Sequence, residues 1–450
     1  MLGLTTDYYL LSYLPTAAAS LFHHSIIMAT TSASIDTDDI PDTFLQNLQQ
    51  GCVESALSIS RLICWTLPLS LFNCFRLFLF VVSLSPGFFR FAWYYFVVSD
   101  RVSVRYANES IRQQIDVYRS CQRNTQHEGL REGLLDGEGI GRDGEMTCRS
   151  NAPVLIFCTG GAWLIGYKMW GTLLARALTA TGVVVVIPDM RNYPSVYIPD
   201  MVNDVDLAID WTFKNIAEYG GDPTNIVLVG QSAGGHVAMM AVLKKIRRIQ
   251  AENNIASATQ ESIGAKRRGL EDDNLTGKWM PSDLKGFAVI SSPLNLIAMT
   301  ESFRRKGLND DTMDRMFGFE KDKYDPFLAL QEILREEQIQ ILSNELPPIH
   351  IYHGTDDKTV PYEVSETFHQ ELSNHMTGEN VSFVTYSGWS HTDPILEGPM
   401  DADHRLHRDL FNDVKNWTDS SNLIWPNDPI MNGRLCPHFM IQIGRFFNPF

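Results

Sequence analysis

Short unbroken apolar runs alternate along much of the chain with stretches whose apolar residues recur every three or four positions. The runs are Val154–Cys158, Val183–Ile187, Ile226–Val229, Phe287–Ile290, Ile349–Tyr352 and Val381–Tyr386. A continuous run such as VVVVI suits a strand covered on both faces, as in a parallel sheet. The periodic stretches predict helices. Met201–Tyr219 carries Val202, Val205, Ala208, Ile209, Trp211 and Phe213, and Leu173–Ala180 and His236–Ile246 read similarly. Strands alternating with helices predict an α/β fold with a mostly parallel, doubly wound sheet and flanking helices. Residues 244–285 interrupt the rhythm with KKIRR, a polar stretch, KRR and EDD, and are expected to form a solvated polar insertion.

Upstream the pattern changes character. Leu62–Val98 is dominated by Leu, Phe, Val, Trp and Tyr, contains no acidic residue, and has Arg76 and Arg90 as its charges. A membrane span needs roughly 20 apolar residues. Leu62–Ser83 and Leu77–Val98 both reach that length, but each carries an arginine, and Pro86-Gly87 interrupts the second. Three arrangements follow: a helical hairpin turning at Ser85-Pro86-Gly87, a single transmembrane helix with an interfacial one, or an amphipathic helix pair lying over the rest of the protein. The aromatic run at 93–96 suits an interfacial belt, so the segment is expected to associate with lipid. Segment 434–450, RLCPHFMIQIGRFFNPF, has two arginines, no acid and many large apolar groups. It is expected to lie at a membrane interface or to pack back on the core. The organisation expected is an N-terminal extension (1–61), the hydrophobic segment (62–98), a catalytic domain (99–425) and an apolar tail (426–450). Residues 1–34 lack the basic start of a secretory signal.

Composition narrows the functional classes. The 450 residues are 44% hydrophobic and 20% charged, ordinary values for a globular chain. The net charge of −16 repels phosphate backbones, so no nucleic-acid partner is expected. The seven cysteines form no CxxC pair or ligand-spaced cluster, so no metal site is expected. Sequons begin at Asn108, Asn274, Asn380 and Asn416, which leaves a lumenal domain open.

The chemistry is carried by three separated motifs. Gly230-Gln231-Ser232-Ala233-Gly234 follows a strand-like run and precedes a helix-like one, the context of a nucleophile elbow. Small residues two before and two after Ser232 permit a tight turn that presents its hydroxyl to a cleft. Such a serine needs a base, and in this architecture an acid and then a histidine follow in chain order. The acid falls in His353-Gly-Thr-Asp356-Asp357, where Asp357 is preferred and Asp356 is the alternative. The base is His391, on the loop after the run Val381–Tyr386; His350, His353, His369 and His375 do not follow that run. Thr159-Gly160-Gly161-Ala162-Trp163 follows the first core strand and can aim backbone N–H groups at a developing alkoxide, together with that of Ala233.

The segments TGGAWLIGYKMWGTLL, IPDMRNYP, DMVNDVDLAIDWTFKNIAEYGGDPTNIVLVGQSAGGHV, HGTDDKTVP, YSGWSHTDPIL and the tail resemble isoprenylcysteine α-carbonyl methylesterases. The likeness covers most of residues 75–450 outside 244–285, with GYKMWG and the tail its most specific parts. It implies a membrane-associated serine hydrolase of the α/β-hydrolase fold, acting without a cofactor on the methyl ester of a prenylated cysteine, free or in a protein. It implies Ser232 as nucleophile, Asp357 as orienting acid and His391 as base. It places Gly160, Gly161, Ala162 and Ala233 on the oxyanion motif, with Gln231 beside them as an oxyanion or substrate contact. It also implies a membrane of the endoplasmic reticulum or Golgi apparatus. The histidine usual before the paired glycines in the family is Thr159 here. General carboxylesterases, lipases and aryl formamidases share the elbow, and a binding protein on the same scaffold is the alternative of another class.

Overall fold

A computed structural model describes residues 71–123, 146–148, 150–256, 275–305, 310–335, 339–376, 380–426 and 433–450. The extension 1–61, the start of the hydrophobic segment and residues 257–274 of the polar insertion lie outside the described residues. Eight strands form one sheet: β1 (Arg101–Arg105), β2 (Gln114–Tyr118), β3 (Ala152–Cys158), β4 (Val184–Asp189), β5 (Gly221–Gln231), β6 (Gly286–Ile290), β7 (Ile349–Gly354) and β8 (Val381–Tyr386). Their order is β1-β2-β4-β3-β5-β6-β7-β8. The β1–β2 and β2–β4 pairings are antiparallel and the rest are parallel. The central strands are registered with Phe157 opposite Val229 and Val229 opposite Ala288.

The six apolar runs become β3 to β8. Strands β1 and β2 were not anticipated, because RVSVR and QIDVY mix charge with apolar residues. Their charges are paired: Lys168 Nζ lies 2.7 Å from the buried Asp116 carboxylate on β2, and Arg101 lies 3.4 Å from it. Burial raises the Asp116 pKa, but these two cations outweigh it and hold the group below its ordinary value.

Alternate residues of each strand feed two cores. Val154 and Ile156 belong to one core with Val205 and Ile209 of α3 (Ile198–Asn215), Val237 of α4 (Ala233–Ala256) and, further along the sheet, Phe368 of α5 (Tyr362–Ser373). Leu155 and Phe157 face α2 (Thr172–Thr179) and α6 (Arg405–Trp417) through Leu174, Leu178, Leu410 and Val414. Helix α4 continues straight through the KKIRR run. Lys244 and Lys245 are buried there, with Lys244 Nζ 3.1 Å from the Tyr324 hydroxyl and Lys245 Nζ 3.0 Å from Asp206. Their aliphatic stems pack while their ammonium groups find acceptors, so the solvated segment does not begin at 244.

The described part of the hydrophobic segment is one helix, α1 (Leu71–Trp93), followed by a wider turn at 94–98, with no hairpin at Ser85-Pro86-Gly87. Pro86 lacks the N–H that would satisfy the Val82 carbonyl, but the Ser85 hydroxyl donates to that carbonyl at 2.8 Å. Gly87 has no side chain, so α1 can lie directly on Met400. Helix α7 (His438–Phe447) packs along α1, with Gly444 against Ser83 and Leu84. Phe80 meets Phe450 edge to face at 6.3 Å, and Arg90 donates to the Arg434 carbonyl at 3.0 Å. Phe75, Phe78, Val82, Phe89 and Trp93 of α1, and Phe439, Ile443 and Phe446 of α7, are exposed. Among the described residues, Phe75–Val98 is the one helical stretch long and apolar enough to cross a membrane.

Candidate active site

Ser232 stands alone between the end of β5 at Gln231 and the start of α4 at Ala233. Its φ is +52°, a left-handed conformation that costs a non-glycine residue about 1–3 kcal/mol. The turn is tight enough to demand glycines on either side. A Cβ on Gly230 would sit 2.5 Å from the Gly235 Cα, and one on Gly234 would sit 2.2 Å from the Cys158 carbonyl oxygen. The Ser232 N–H donates to the Ile290 carbonyl at 2.8 Å, which locks the elbow to β6.

His391 and Asp357 reach this serine from the loops after β8 and β7. The Ser232 hydroxyl lies 2.8 Å from His391 Nε2, and His391 Nδ1 lies 2.7 Å from Asp357 Oδ2. Donation from Nδ1–H to the carboxylate leaves Nε2 as acceptor for the hydroxyl. The other carboxylate oxygen, Oδ1, accepts the N–H groups of Thr359 and Val360, each at 2.8 Å. His353 Nε2 is 3.2 Å from Oδ2, although its ring is also held by the Ser365 hydroxyl and the Val360 carbonyl. Burial pushes the Asp357 pKa up, but the two imidazoles overcome it and hold the carboxyl well below the usual range. Asp356 is exposed and its Oδ1 accepts from Thr355, so of the two competing carboxylates Asp357 is the one joined to His391. His350 is engaged elsewhere, 2.7 Å from Asp413.

The glycine loop after β3 arches over the elbow. A Cβ on Gly160 would stand 2.9 Å from the Ser232 Cβ, and one on Gly161, whose φ is +133°, would strike the Gly166 backbone at 2.3 Å. Ala162 and Trp163 also have positive φ, at 49° and 61°. Ala233 opens α4, so its N–H has no acceptor within the helix. Gln231 is buried with its amide against Gly160, so it supports the loop from below. Thr159 is buried, its hydroxyl 3.4 Å from the Tyr167 carbonyl. The far end of the loop is fastened at the Gly166 carbonyl, which accepts from Asn192 at 2.9 Å and from the Arg112 guanidinium.

One supporting residue, His236, was missed from sequence because its position in α4 reads as an ordinary helix site. Its Nδ1 accepts from the Trp163 indole at 3.3 Å, while Nε2 faces the Tyr324 carbonyl at 2.8 Å. Burial lowers its pKa to about 4, so it stays neutral and keeps an acceptor for Trp163.

A strand-order β1-β2-β4-β3-β5-β6-β7-β8 sheet with a serine on the turn after β5, a histidine after β8 and an acid after β7 defines the α/β-hydrolase class. Residues 145–372 match the BD-FAE family. Isoprenylcysteine alpha-carbonyl methylesterase ICME of Arabidopsis thaliana is 30% identical over 393 residues, covering 86% of this chain and 77% of that protein. A probable isoprenylcysteine alpha-carbonyl methylesterase, ICMEL1 of Oryza sativa subsp. japonica, is 30% identical, covering 82% of this chain and 75% of that one. A solved esterase from Thermogutta terrifontis aligns with a TM-score of 0.46 at 18% identity, covering 73% of this chain and 95% of that one. The chain is a carboxylic ester hydrolase, and it belongs to the isoprenylcysteine alpha-carbonyl methylesterase family.

Proposed function

We propose that this protein hydrolyses the methyl ester of a carboxy-terminal prenylcysteine, with Ser232 as nucleophile, His391 as general base and Asp357 as its orienting acid. The observation that supports this most is the continuous hydrogen-bonded chain from the Ser232 hydroxyl through His391 to Asp357. Ser232 Oγ attacks the ester carbonyl as its proton passes to His391 Nε2. The tetrahedral alkoxide is met by N–H groups of the Gly160–Ala162 loop and of Ala233; one such donor is worth about 2.7–4 kcal/mol. Collapse breaks the bond to methoxide, which takes the proton from His391 and leaves as methanol. Water then gives a proton to the same nitrogen and attacks the acyl-enzyme. Departure of Ser232 with that proton releases a free carboxylate and one proton to solvent. Throughout, the Asp357 carboxylate keeps the imidazole in the required tautomer and balances its transient charge.

The apolar face formed by α1 and α7 supports a membrane-proximal site, in keeping with a greasy prenyl substrate. Four arginines, Arg76, Arg90, Arg434 and Arg445, and no acids lie in Leu71–Val98 and 434–450. We place the protein at the membranes of the endoplasmic reticulum or Golgi apparatus on this reading. Purified enzyme should release methanol from farnesylcysteine methyl ester much faster than it cleaves a short aryl ester. The opposite preference would make it a general carboxylesterase, and faster turnover of N-formyl amines would make it an amidase. Fluorophosphonate labelling should disappear in Ser232→Ala; a folded wild type that never labels would be a binding protein. For the membrane, sedimentation with anionic vesicles is the assay. Burying a phenylalanine contributes roughly 1.5–3 kcal/mol, so Phe78→Ser with Phe446→Ser should weaken partitioning by more than about tenfold.

A further inference from the structure

The catalytic histidine candidate is flanked by Ser390 and Thr392, and one side chain from a distant segment holds both neighbours. The Asn448 amide nitrogen lies 3.1 Å from the Ser390 hydroxyl, 2.7 Å from that of Thr392 and 2.7 Å from Glu397 Oε1. Its amide orientation is fixed, because Asn448 Oδ1 accepts the Phe450 N–H at 2.7 Å. The two hydroxyls donate elsewhere, which leaves their lone pairs for Asn448, and its two N–H groups are shared among the three acceptors. Ser390 donates to Asp393 Oδ2 at 2.9 Å, and Thr392 donates to Glu397 Oε1 at 2.9 Å. Asp393 in turn closes the loop on the Ser390 N–H at 2.8 Å and receives Arg445 of α7 at 2.8 Å. The Asn448 carbonyl accepts the Arg76 guanidinium of α1. All of Asn448, Thr392, Asp393 and Glu397 are buried.

We propose that Asn448 is a positioning residue for the ester hydrolysis: it clamps the loop 390–393 so that His391 stays aligned between Ser232 and Asp357. The backbone of the loop is tied on its C-terminal side, where the Thr392 carbonyl accepts from Ile395 and Leu396 and the Asp393 carbonyl from Gly398. Its side chains are tied differently: those of Ser390, Thr392 and Asp393 bond to one another or to Asn448, Arg445 and Glu397, so Asn448 is the residue that joins the two flanks of His391. Without the Asn448 donors, Glu397 Oε1 keeps one partner, while its Oε2 is buried with none. The loop then relaxes towards solvent. A displacement of about 1 Å at a catalytic group can cost on the order of a hundredfold in rate. The clamp also joins catalysis to the α1–α7 pair, since the same residue is gripped by Arg76 from the helix that carries the exposed apolar face.

The inference rests on His391 being the base of a Ser232-dependent hydrolase, and the test separates the two. Kinetics are measured with a water-soluble aryl ester, alongside thermal melts and the rate of Ser232 labelling by a small phosphonate. Asn448→Ala and the isosteric Asn448→Asp should lower kcat roughly ten- to a hundredfold, with KM changed less than about twofold and labelling slowed in parallel. Asp matches the shape of Asn but cannot donate, so a purely packing role would spare it at a pH where it folds. Adding Glu397→Gln to Asn448→Asp restores a donor–acceptor pair with the roles exchanged, and should recover part of the lost kcat. Gln442→Ala, exposed on the helix α7 that precedes Asn448, is the control and should leave kcat unchanged. If Asn448→Ala folds and keeps kcat within about twofold of wild type, the clamp is refuted. If both variants lose activity only in proportion to unfolded protein, and the exchanged pair recovers none, it is refuted too. If Ser232→Ala remains active, the underlying catalytic reading fails instead.

Discussion

Glutamine at position 397 should make the protein more stable than wild type, and increasingly so as pH rises. Glu397 is fully buried close to the Asp393 carboxylate, which the Arg445 guanidinium binds at 2.8 Å. Burial first, and Asp393 second, push its pKa from 4.5 up to about 8. A neutral carboxylic acid therefore accepts from Thr392 and Asn448, and glutamine reproduces that acceptor without an ionisable proton. The folded state holds this proton more tightly than the unfolded chain does, so wild-type stability falls as pH rises between the two pKa values. Above the folded value the loss is complete. At about 1.4 kcal/mol per unit, the whole shift is worth up to about 5 kcal/mol, of which up to about 4 kcal/mol falls between about pH 5 and about pH 8. Urea unfolding of wild type and Glu397→Gln across that range, at fixed ionic strength, measures the difference directly. Groups that do not interact with Glu397 titrate alike in both proteins and cancel. A stability gap that widens with pH and levels off above about pH 8 supports the reasoning. A gap that stays flat, or narrows, refutes it, and would mean that the carboxyl is ionised or solvated in the folded protein.

Three more outcomes follow from the same contacts. Asp357→Asn should lower kcat by on the order of ten thousandfold, as loss of the tautomer-fixing acid does, while Asp356→Asn changes it by less than about threefold; steady-state kinetics of the two variants decides between the carboxylates. Gly234→Ala should destabilise the fold by about 3 kcal/mol or more in thermal melts, because its Cβ would sit 2.2 Å from the Cys158 carbonyl, which is backbone and cannot turn aside. His236→Phe leaves the Trp163 indole and the Tyr324 carbonyl without their partner, at about 1–3 kcal/mol each, and should reduce kcat more than KM if Trp163 holds the glycine loop over Ser232.

Most of the sheet was legible because its strands are buried on both faces and so carry uninterrupted apolar runs. The six runs give β3 to β8, with ends differing by a few residues; β5 alone extends well beyond Ile226–Val229, through the polar GDPTN stretch. The antiparallel strands β1 and β2 escaped notice for the opposite reason. Asp116 sits in the middle of β2, and a buried carboxylate in a strand is intelligible once Lys168 and Arg101 are seen beside it. The serine, the acid and the histidine were readable because each lies on a short turn whose neighbours must be small or polar. Asp357 is preferred over Asp356 in the sequence with both left in play, because adjacent residues of a loop point in different directions; with the sheet closed, Asp357 is the one that meets His391. Pro86-Gly87 misled in a comparable way: a hairpin signal is overridden when Ser85 takes the freed carbonyl and Gly87 is needed for packing against Met400.

The parts of the sequence most specific to this family do not surround the nucleophile. GYKMWG contributes Tyr167 and Met169, and the tail contributes Cys436 and Ile441, to one apolar cluster with Leu77, Phe80, Leu84 and Phe91 of α1 and with Met400. Tyr167 lies just beyond the glycine loop and is bonded through its carbonyl to Thr159, while Met400 ends the short helix that begins at Glu397. The cluster therefore rests on the continuations of two loops: the one that arches over Ser232 and the one that carries His391. The turn geometry of a serine hydrolase can be satisfied by a five-residue motif, and unrelated substrates can share it. A roof spanning residues 71–98, 167–171, 397–400 and 434–450 needs four distant segments to agree in shape, so its residues are constrained together although no local rule demands them. On this argument the packing of these four segments ties the apolar helix pair to the loops that follow β3 and β8, and so to the supports of Ser232 and His391.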